Sequence, residues 1–368
     1  MTVREVEQII EAWAPRNIAW EGDNVGLQCG SPEAKVRGII VALDATEEIV
    51  AEARRKGANM VITHHPLLFR PLRSLAFGHA TGRCLAALIR NRIHLYSAHT
   101  NLDFTEGGTS FALAAILGLI DVTFLHQPYQ EERKIVTFVP ADKVEKVSGA
   151  MAEAGAGIIG NYEHCSFRAS GTGTFRGNAA ARPAVGRRGT LERVTEIRLE
   201  MVVPRTSVDA VVRALIKAHP YEEVAYDIYP LENRTRRYGM GVIGNLRRPV
   251  RLEGFLKVVK RALGARMLRW TGDSRRMIRR VAACGGSGSR LISEALGQKA
   301  DAFVTADVKY HSFQEPGTAM ALIDAGHFET EYPVIGAVVG RIRKELQRRD
   351  ERIPVYAAAT STNPVYYV

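Results

Sequence analysis

The chain has 368 residues, 46% of them hydrophobic and 24% charged, with a formal net charge of +11. That length and composition allow two or three packed domains and exclude a disordered chain, and no apolar run is long enough to cross a bilayer. Cys29, Cys84, Cys165 and Cys284 stand far apart with no C-x-x-C pair, which argues against a disulfide scaffold or a thiolate zinc site and for reduced thiols in a cytoplasm.

The opening MTVREVEQIIEAWAP mixes charges on a helical pattern, so no signal peptide is expected. KVRGIIVALDA then reads as a strand, TEEIVAEARRKG as an amphipathic helix and ANMVITHH as a second strand. TGRCLAALIRNR follows as a helix and IHLYSAHT as a third strand. Strand and helix alternating in this way predict an α/β fold with a largely parallel sheet.

Near Gln127 the pattern changes. KIVTFVPADKVEKVSGAMAEAG opens as a strand and continues as a helix, and TEIRLEMVVPRTSVDAVVRALIKAHP repeats that order. Between them lies GTGTFRGNAAARPAVGRRG, which reads as too rich in glycine for a regular element. Two strand–helix units around an irregular middle predict a ferredoxin-like α+β domain inserted at residues 129–233. It separates a first half of the α/β domain, 1–128, from a second, 234–368.

The second half resembles the first. VALDATEEIVAEARRKGANMVITHH aligns with VAACGGSGSRLISEALGQKADAFVTADVKYH, and LYSAHTNLD with LIDAGHFETE. This alignment sets His99 on His327, Asp103 on Glu331, and His311 in the place of the histidine pair. Related halves are expected to pack as one domain with equivalent strand ends close together, which gathers His64, His65, His99, Asp103, His327 and Glu331 around one cleft.

Ligands of open α/β sheets bind beyond the carboxyl ends of the strands, and each of these clusters directly follows an apolar strand. His327 and Glu331, four apart at the start of a helix, share one face. Imidazoles with carboxylates and no thiolate suit zinc, iron, manganese, cobalt or nickel. Five or six ligands exceed one four-coordinate ion and match two, about 3.5–4 Å apart. Adjacent side chains of a strand point to opposite faces, so His64 and His65 are expected to serve different ions, with Pro66 bending the chain.

Other polar positions carry plainer readings. Asp44 is expected to cap the helix that begins TEE, with orientation of a metal ligand as the alternative. His94 and His219 are expected to be structural. CGGSGSRLI could cradle a phosphate on backbone N–H groups, but it lacks the Walker lysine and dinucleotide spacing and reads better as a tight strand-to-helix turn.

Taken together, GDNVGLQCG, ITHHPLLF, SAHTNLD, CGGSGS, TADVKYH and GHFETE resemble the Nif-three-like proteins, dinuclear-metal proteins often named GTP cyclohydrolase I type 2 homologues. The resemblance covers almost the whole chain, and the insert looks like the CutA/PII-like domain of the long bacterial members. One departure is visible: Gly22, not tryptophan, precedes Asp23, and the tryptophan is Trp20.

The resemblance implies a Nif-three-like fold of two related halves forming one domain. It implies two divalent ions per chain, zinc, iron or manganese, held by His64, His65, Asp103, His327 and Glu331, with Glu331 as the bridge. His99 and His311 then belong to the pocket without holding metal and could shuttle protons. It also implies a homohexameric ring, a trimer of dimers. The expected activity is metal-dependent hydrolysis of a nucleotide or other phosphorylated substrate, with a metal-bound regulatory or scaffold ring, sensing a ligand through its insert, as the alternative. Nucleic acid is not the expected partner, because the basic residues are scattered or on helix faces and no groove-reading motif accompanies them.

Overall fold

A computed structural model of the chain describes residues 1–127, 132–160, 162–233 and 238–368, without the side chain of Thr206. The strands of the first half are Gly26–Cys29 (β1), Ile39–Ala42 (β2), Met60–Thr63 (β3), His94–Ser97 (β4) and Ile120–His126 (β5). Next come Glu132–Pro140 (β6), Phe167–Phe175 (β7), Glu192–Pro204 (β8) and Tyr226–Pro230 (β9). The remainder are Met240–Arg251 (β10), Arg269–Thr271 (β11), Met277–Ser287 (β12), Ala302–Ala306 (β13), Ala321–Asp324 (β14) and Val355–Ala357 (β15).

The chain divides into two compact units, Met1–Gln127 with Arg236–Val368, and Pro128–Thr235. The borders expected at 128/129 and 233/234 involve residues outside the described set. In the first unit one sheet runs β1-β4-β3-β2-β15, with β4, β3, β2 and β15 parallel and β1 antiparallel at the edge. Ile39 and Val41 of β2 face a core with Val6, Ile10, Ile335 and Val338, while Ile40 and Ala42 face another with Ile49, Val50 and Leu88. Burial on both faces is why this strand reads as an unbroken apolar run, each such side chain contributing roughly 1.5–3 kcal/mol.

The other sheet of this unit runs β11-β14-β13-β12-β10-β5, with β14, β13 and β12 parallel. The parallel trios β4-β3-β2 and β14-β13-β12 hold the segments aligned in the sequence. Their ladders correct that alignment. Thr63 pairs with Ser97, and Thr305 with Asp324. Ala98 N–H donates to Thr63 O and Ala325 N–H to Thr305 O, both at 2.9 Å. The counterpart of His65 is therefore Asp307, not His311, and His327 lies one residue beyond the counterpart of His99. Sequence similarity fixes a repeat only to within a residue or two, whereas ladder hydrogen bonds fix it to the residue.

The second unit is a wholly antiparallel sheet in the order β7-β8-β6-β9, built as strand, helix, strand, strand, helix, strand. Helices Val144–Glu153 and Val208–Ala218 cover one face, closing a core with Ile135, Met151, Leu199 and Leu215. The glycine-rich stretch is not wholly irregular, because its GTGTF belongs to β7, which pairs residue for residue with β8 from Phe167 to Phe175. Pairing with the long β8 overrides the weak strand propensity of glycine. No helix among the described residues is long and apolar enough to cross a membrane.

Candidate metal centre

β3 is buried along its whole length and ends at Thr63, where the chain turns. Thr63 Oγ1 donates to His65 O at 2.8 Å, and the Thr63 and Ser97 hydroxyls share a hydrogen bond of 2.9 Å. The bend brings the neighbouring histidines to one place instead of opposite faces, with ring centroids 5.0 Å apart. His99 enters from the end of β4, its centroid 5.3 Å from His64 and 5.6 Å from His65. His327 enters from the second half, 5.5 Å from His65.

Each of these imidazoles spends its Nδ1–H on an oxygen that can only accept. His64 Nδ1 donates to Ala98 O at 2.9 Å, and His65 Nδ1 to Asp44 Oδ1 at 2.8 Å. His99 Nδ1 donates to Asp23 Oδ1 at 2.9 Å, and His327 Nδ1 to Asp307 Oδ2 at 2.6 Å. In the neutral ring this leaves Nε2 as a bare lone pair, the arrangement by which outlying carboxylates and carbonyls orient metal-binding histidines.

The Nε2 atoms of His64, His65 and His327 meet carboxylates. His64 Nε2 is 3.5 Å from Asp103 Oδ1 and 3.8 Å from Glu331 Oε1. Glu331 spans the centre, with Oε2 2.9 Å from His65 Nε2 and Oε1 3.1 Å from His327 Nε2. Among the described residues the potential ligands form two overlapping groups, His64/His65/His99 and His65/His327/Glu331, each with its ligand atoms within 4.8 Å of one another. His65 belongs to both.

His64 Nε2, Asp103 Oδ1 and Glu331 Oε2 are buried and lack a hydrogen-bond partner of sound geometry, the last despite its approach to His65. Buried lone pairs facing one another need a proton or a cation between them. The electrostatics of the cluster agree. Burial disfavours charge on His65, but Asp44 and Glu331 outweigh it and raise the imidazole to about 10. The hydrogen bond to Glu331 is the main reason that His327 rises to about 9. Burial pushes the Asp103 carboxyl up, whereas Glu331 is held well below the carboxylate range because His64, His327 and His65 overcome its burial. Cys284, whose thiol is pushed up to about 12 chiefly by burial, belongs to neither ligand group. The residues fit hard or borderline divalent cations.

Second contacts decide between the two readings of Asp44 and add residues that the sequence reading missed. Thr46 caps the helix Glu47–Arg55 by accepting from Ile49 N–H, so Asp44 does not cap it; Asp44 holds His65 and accepts from Thr362 Oγ1 at 2.6 Å. Asp23, quoted only as part of GDNVGLQCG, orients His99 and also accepts from Thr100 N–H at 3.1 Å. Burial would raise this carboxyl, yet those hydrogen bonds hold it down at about 2. The DNV run was the available signal for Asp23; Asp307 had none beyond its place after a strand.

CGGSGS runs from the last residues of β12 into the turn that follows, and its glycines serve packing. Its Gly285, Gly286 and Gly288 N–H groups donate to Ser110, Thr330 and Thr305 hydroxyls, leaving none of the three for a phosphate. Gly286 has φ +62°, and a Cβ there would fall 2.2 Å from Glu331 Oε1. His311 is exposed in a short turn, its ring 5.4 Å from Tyr310, and belongs to neither ligand group. His94 accepts from Ser31 N–H, and His219 bonds Phe138 O and Tyr221 N–H, both structural arrangements. Gly22 takes φ +84°, while Trp20 packs edge-on to Phe104 at 5.5 Å.

Residues 1–364 match the profile of the Duf34/NIF3 (NGG1p interacting factor 3) family. Proteins named GTP cyclohydrolase 1 type 2 homolog from Halalkalibacterium halodurans and Bacillus subtilis are 38% and 35% identical, over 99% of this chain and 98% of each relative. Among solved structures, a Bacillus cereus protein related to NIF3 is 38% identical with TM-score 0.72, and Staphylococcus aureus protein SA1388 is 29% identical with TM-score 0.84. Each alignment covers 100% of this chain and 99% of the other.

Proposed function

The chain belongs to the Duf34/NIF3 family, and from that premise we propose that it is a dinuclear divalent-metal protein that hydrolyses a nucleotide or other phosphorylated substrate. The observation that supports this is the convergence of unpartnered, buried His64 Nε2, Asp103 Oδ1 and Glu331 Oε2 from both halves. His64, His65, Asp103, His327 and Glu331 would hold two divalent ions, zinc, iron or manganese. Such a pair supplies a Lewis acid and a source of nucleophile at neutral pH.

The chain's own groups do the remaining work. Asp44, Asp23 and Asp307 fix ring orientations. His99, held by Asp23, carries a proton to or from the reacting group, and His311 is the second candidate for that task. GTP is the first substrate to screen, because the two relatives above carry the cyclohydrolase name.

The test is metal per chain, measured by elemental analysis of protein purified without chelator, followed by a nucleotide and phosphoester screen. About two equivalents are expected, falling below about one in His65→Ala/Glu331→Ala. No metal after anaerobic loading with iron, zinc and manganese, or a screened activity unchanged in Glu331→Ala, would overturn the reading.

Its strand–helix–strand–strand–helix–strand order and 7-8-6-9 sheet support reading the second unit as a ferredoxin-like, CutA/PII-like module. We assign the chain to a homohexameric ring in the cytoplasm, with native mass spectrometry as the check. Among the described residues the second unit contributes none to the ligand groups, which favours a part in sensing or assembly. Removing it should leave metal content intact and abolish any effector response.

A further inference from the structure

We propose that the second unit carries a binding site for a small organic cation, an ammonium or guanidinium group on a flat apolar body, in the cavity on its sheet. The cavity has a volume of about 690 Å³, ample for a small molecule. Phe175 of β7 supplies an aromatic wall, Phe138 of β6 lies under the Arg198 guanidinium at 5.9 Å from its ring centroid, and Glu196 and Tyr221 line the same space.

Glu196 is the feature that selects charge. It is 8% exposed and makes no ion pair among the described residues. A buried carboxylate without a counter-charge is costly unless something pairs with it. Beside it, Tyr221 Oη is fully buried and lacks a hydrogen bond of sound geometry, with the Glu196 carboxylate close enough to act on it. Burial, with the nearby Glu196 carboxylate, pushes this hydroxyl up to about 12, so it keeps its proton and adds a polar contact without a negative charge.

The two arginines on the wall do not reverse the sign. Arg198 Nε donates to Glu200 at 2.8 Å; Arg176, whose Nε donates to Gly189 O at 2.8 Å, keeps its charge, but the lining carboxylates Glu196, Glu222 and Glu223 outnumber the two guanidinium groups. Glu222 and Glu223 add carboxylates to the rim. An anionic ligand would face Glu196, and a metal ion would lack a built ligand set, since Glu196 belongs to no group of three ligands among the described residues. Delocalised or substituted cations also favour aromatic walls.

The glycines of β7 make the room. A Cβ at Gly173 would lie 2.0 Å from Glu196 Oε2, so any larger residue would displace the carboxylate. At Gly171 a Cβ would meet nothing within 4 Å, so the missing side chain is open space. A strand with glycine at these positions gives up packing and entropy, which is understandable where a ligand takes the vacated place.

The experiment is calorimetric titration of the full chain with benzamidine, a flat aromatic cation, against neutral benzamide and anionic benzoate. One benzamidine per chain is expected, with the other two probes at least about tenfold weaker. Glu196→Gln should weaken benzamidine by about tenfold or more. Gly171→Val, which suits a strand and fills open space, should block the probe without lowering the unfolding midpoint; it carries the test if Glu196→Gln does not fold. Undiminished binding to both variants, benzoate binding as well as benzamidine, or no binding at about 10 mM probe would overturn the proposal. A second copy occupying the cavity would give that last result.

Discussion

His65 and Glu331, from opposite halves of the repeat, approach to 2.9 Å between Nε2 and Oε2. The same carboxylate reaches His327 through Oε1 at 3.1 Å, so one buried side chain ties the end of β3 to the helix His327–Glu331. Neither half alone assembles this set, and removing Glu331 should dismantle it first. Glu331→Gln keeps the shape and halves the acceptor capacity. Metal content is expected to fall below about half of the parent's, read by elemental analysis.

Gly286 stands directly behind that carboxylate. Gly286→Ala meets both a left-handed φ of +62° and a 2.2 Å clash with Glu331 Oε1. The expected cost is about 1–3 kcal/mol in urea unfolding, with weakened metal binding in the folded protein. An alanine variant with the parent's midpoint and metal affinity would show that the loop shifts freely.

Orientation of the rings is testable apart from their identity. Asp44→Asn, Asp23→Asn and Asp307→Asn each replace an acceptor for an imidazole Nδ1–H with an amide that can donate instead. Asp44→Asn and Asp307→Asn are expected to weaken metal binding by about 10–100-fold in competition with a chelating dye. Asp23→Asn should instead leave metal content near normal and reduce turnover, because the ring it holds belongs to the proposed proton carrier. If all three behave alike, His99 is a metal ligand.

Acid stability has a separate source. Glu52, 2% exposed, accepts from Ala359 and Thr360 N–H at 2.9 and 3.0 Å and pairs with Lys56 at 2.8 Å. Burial would raise its carboxyl, but these partners hold it at about 2 against an ordinary 4.5. A depressed folded value means that the stabilisation is fully present above about pH 4.5 and is lost as pH falls toward about 2. It amounts to about 3 kcal/mol. Glu52→Gln should lower the urea midpoint at neutral pH, with the gap to the parent closing as the buffer is acidified. A gap that stays constant with pH would assign the effect to packing.

Much of the α/β unit was readable in the chain because local rules govern its elements. The apolar runs GIIVAL and MVITHH mark strands buried on both faces, and the polar residues after them mark the strand ends where such folds place their sites. His64, His65, His99, Asp103, His327 and Glu331 were all named on that ground. Tertiary structure decided what each of them touches. Asp23 and Asp307 acquire their roles only when separate segments are brought together, because a hydrogen bond from an imidazole is set by distance in space and leaves no spacing in sequence. The same reason separates Asp44 from the cap it seemed to be and His311 from the histidine pair it seemed to repeat. It also explains the glycines of GTGTF and CGGSGS, which read locally as breaks in structure. One set lies in a strand beside a cavity and the other packs behind a buried carboxylate, so in both places a side chain is absent because its volume is needed by a neighbour far along the chain.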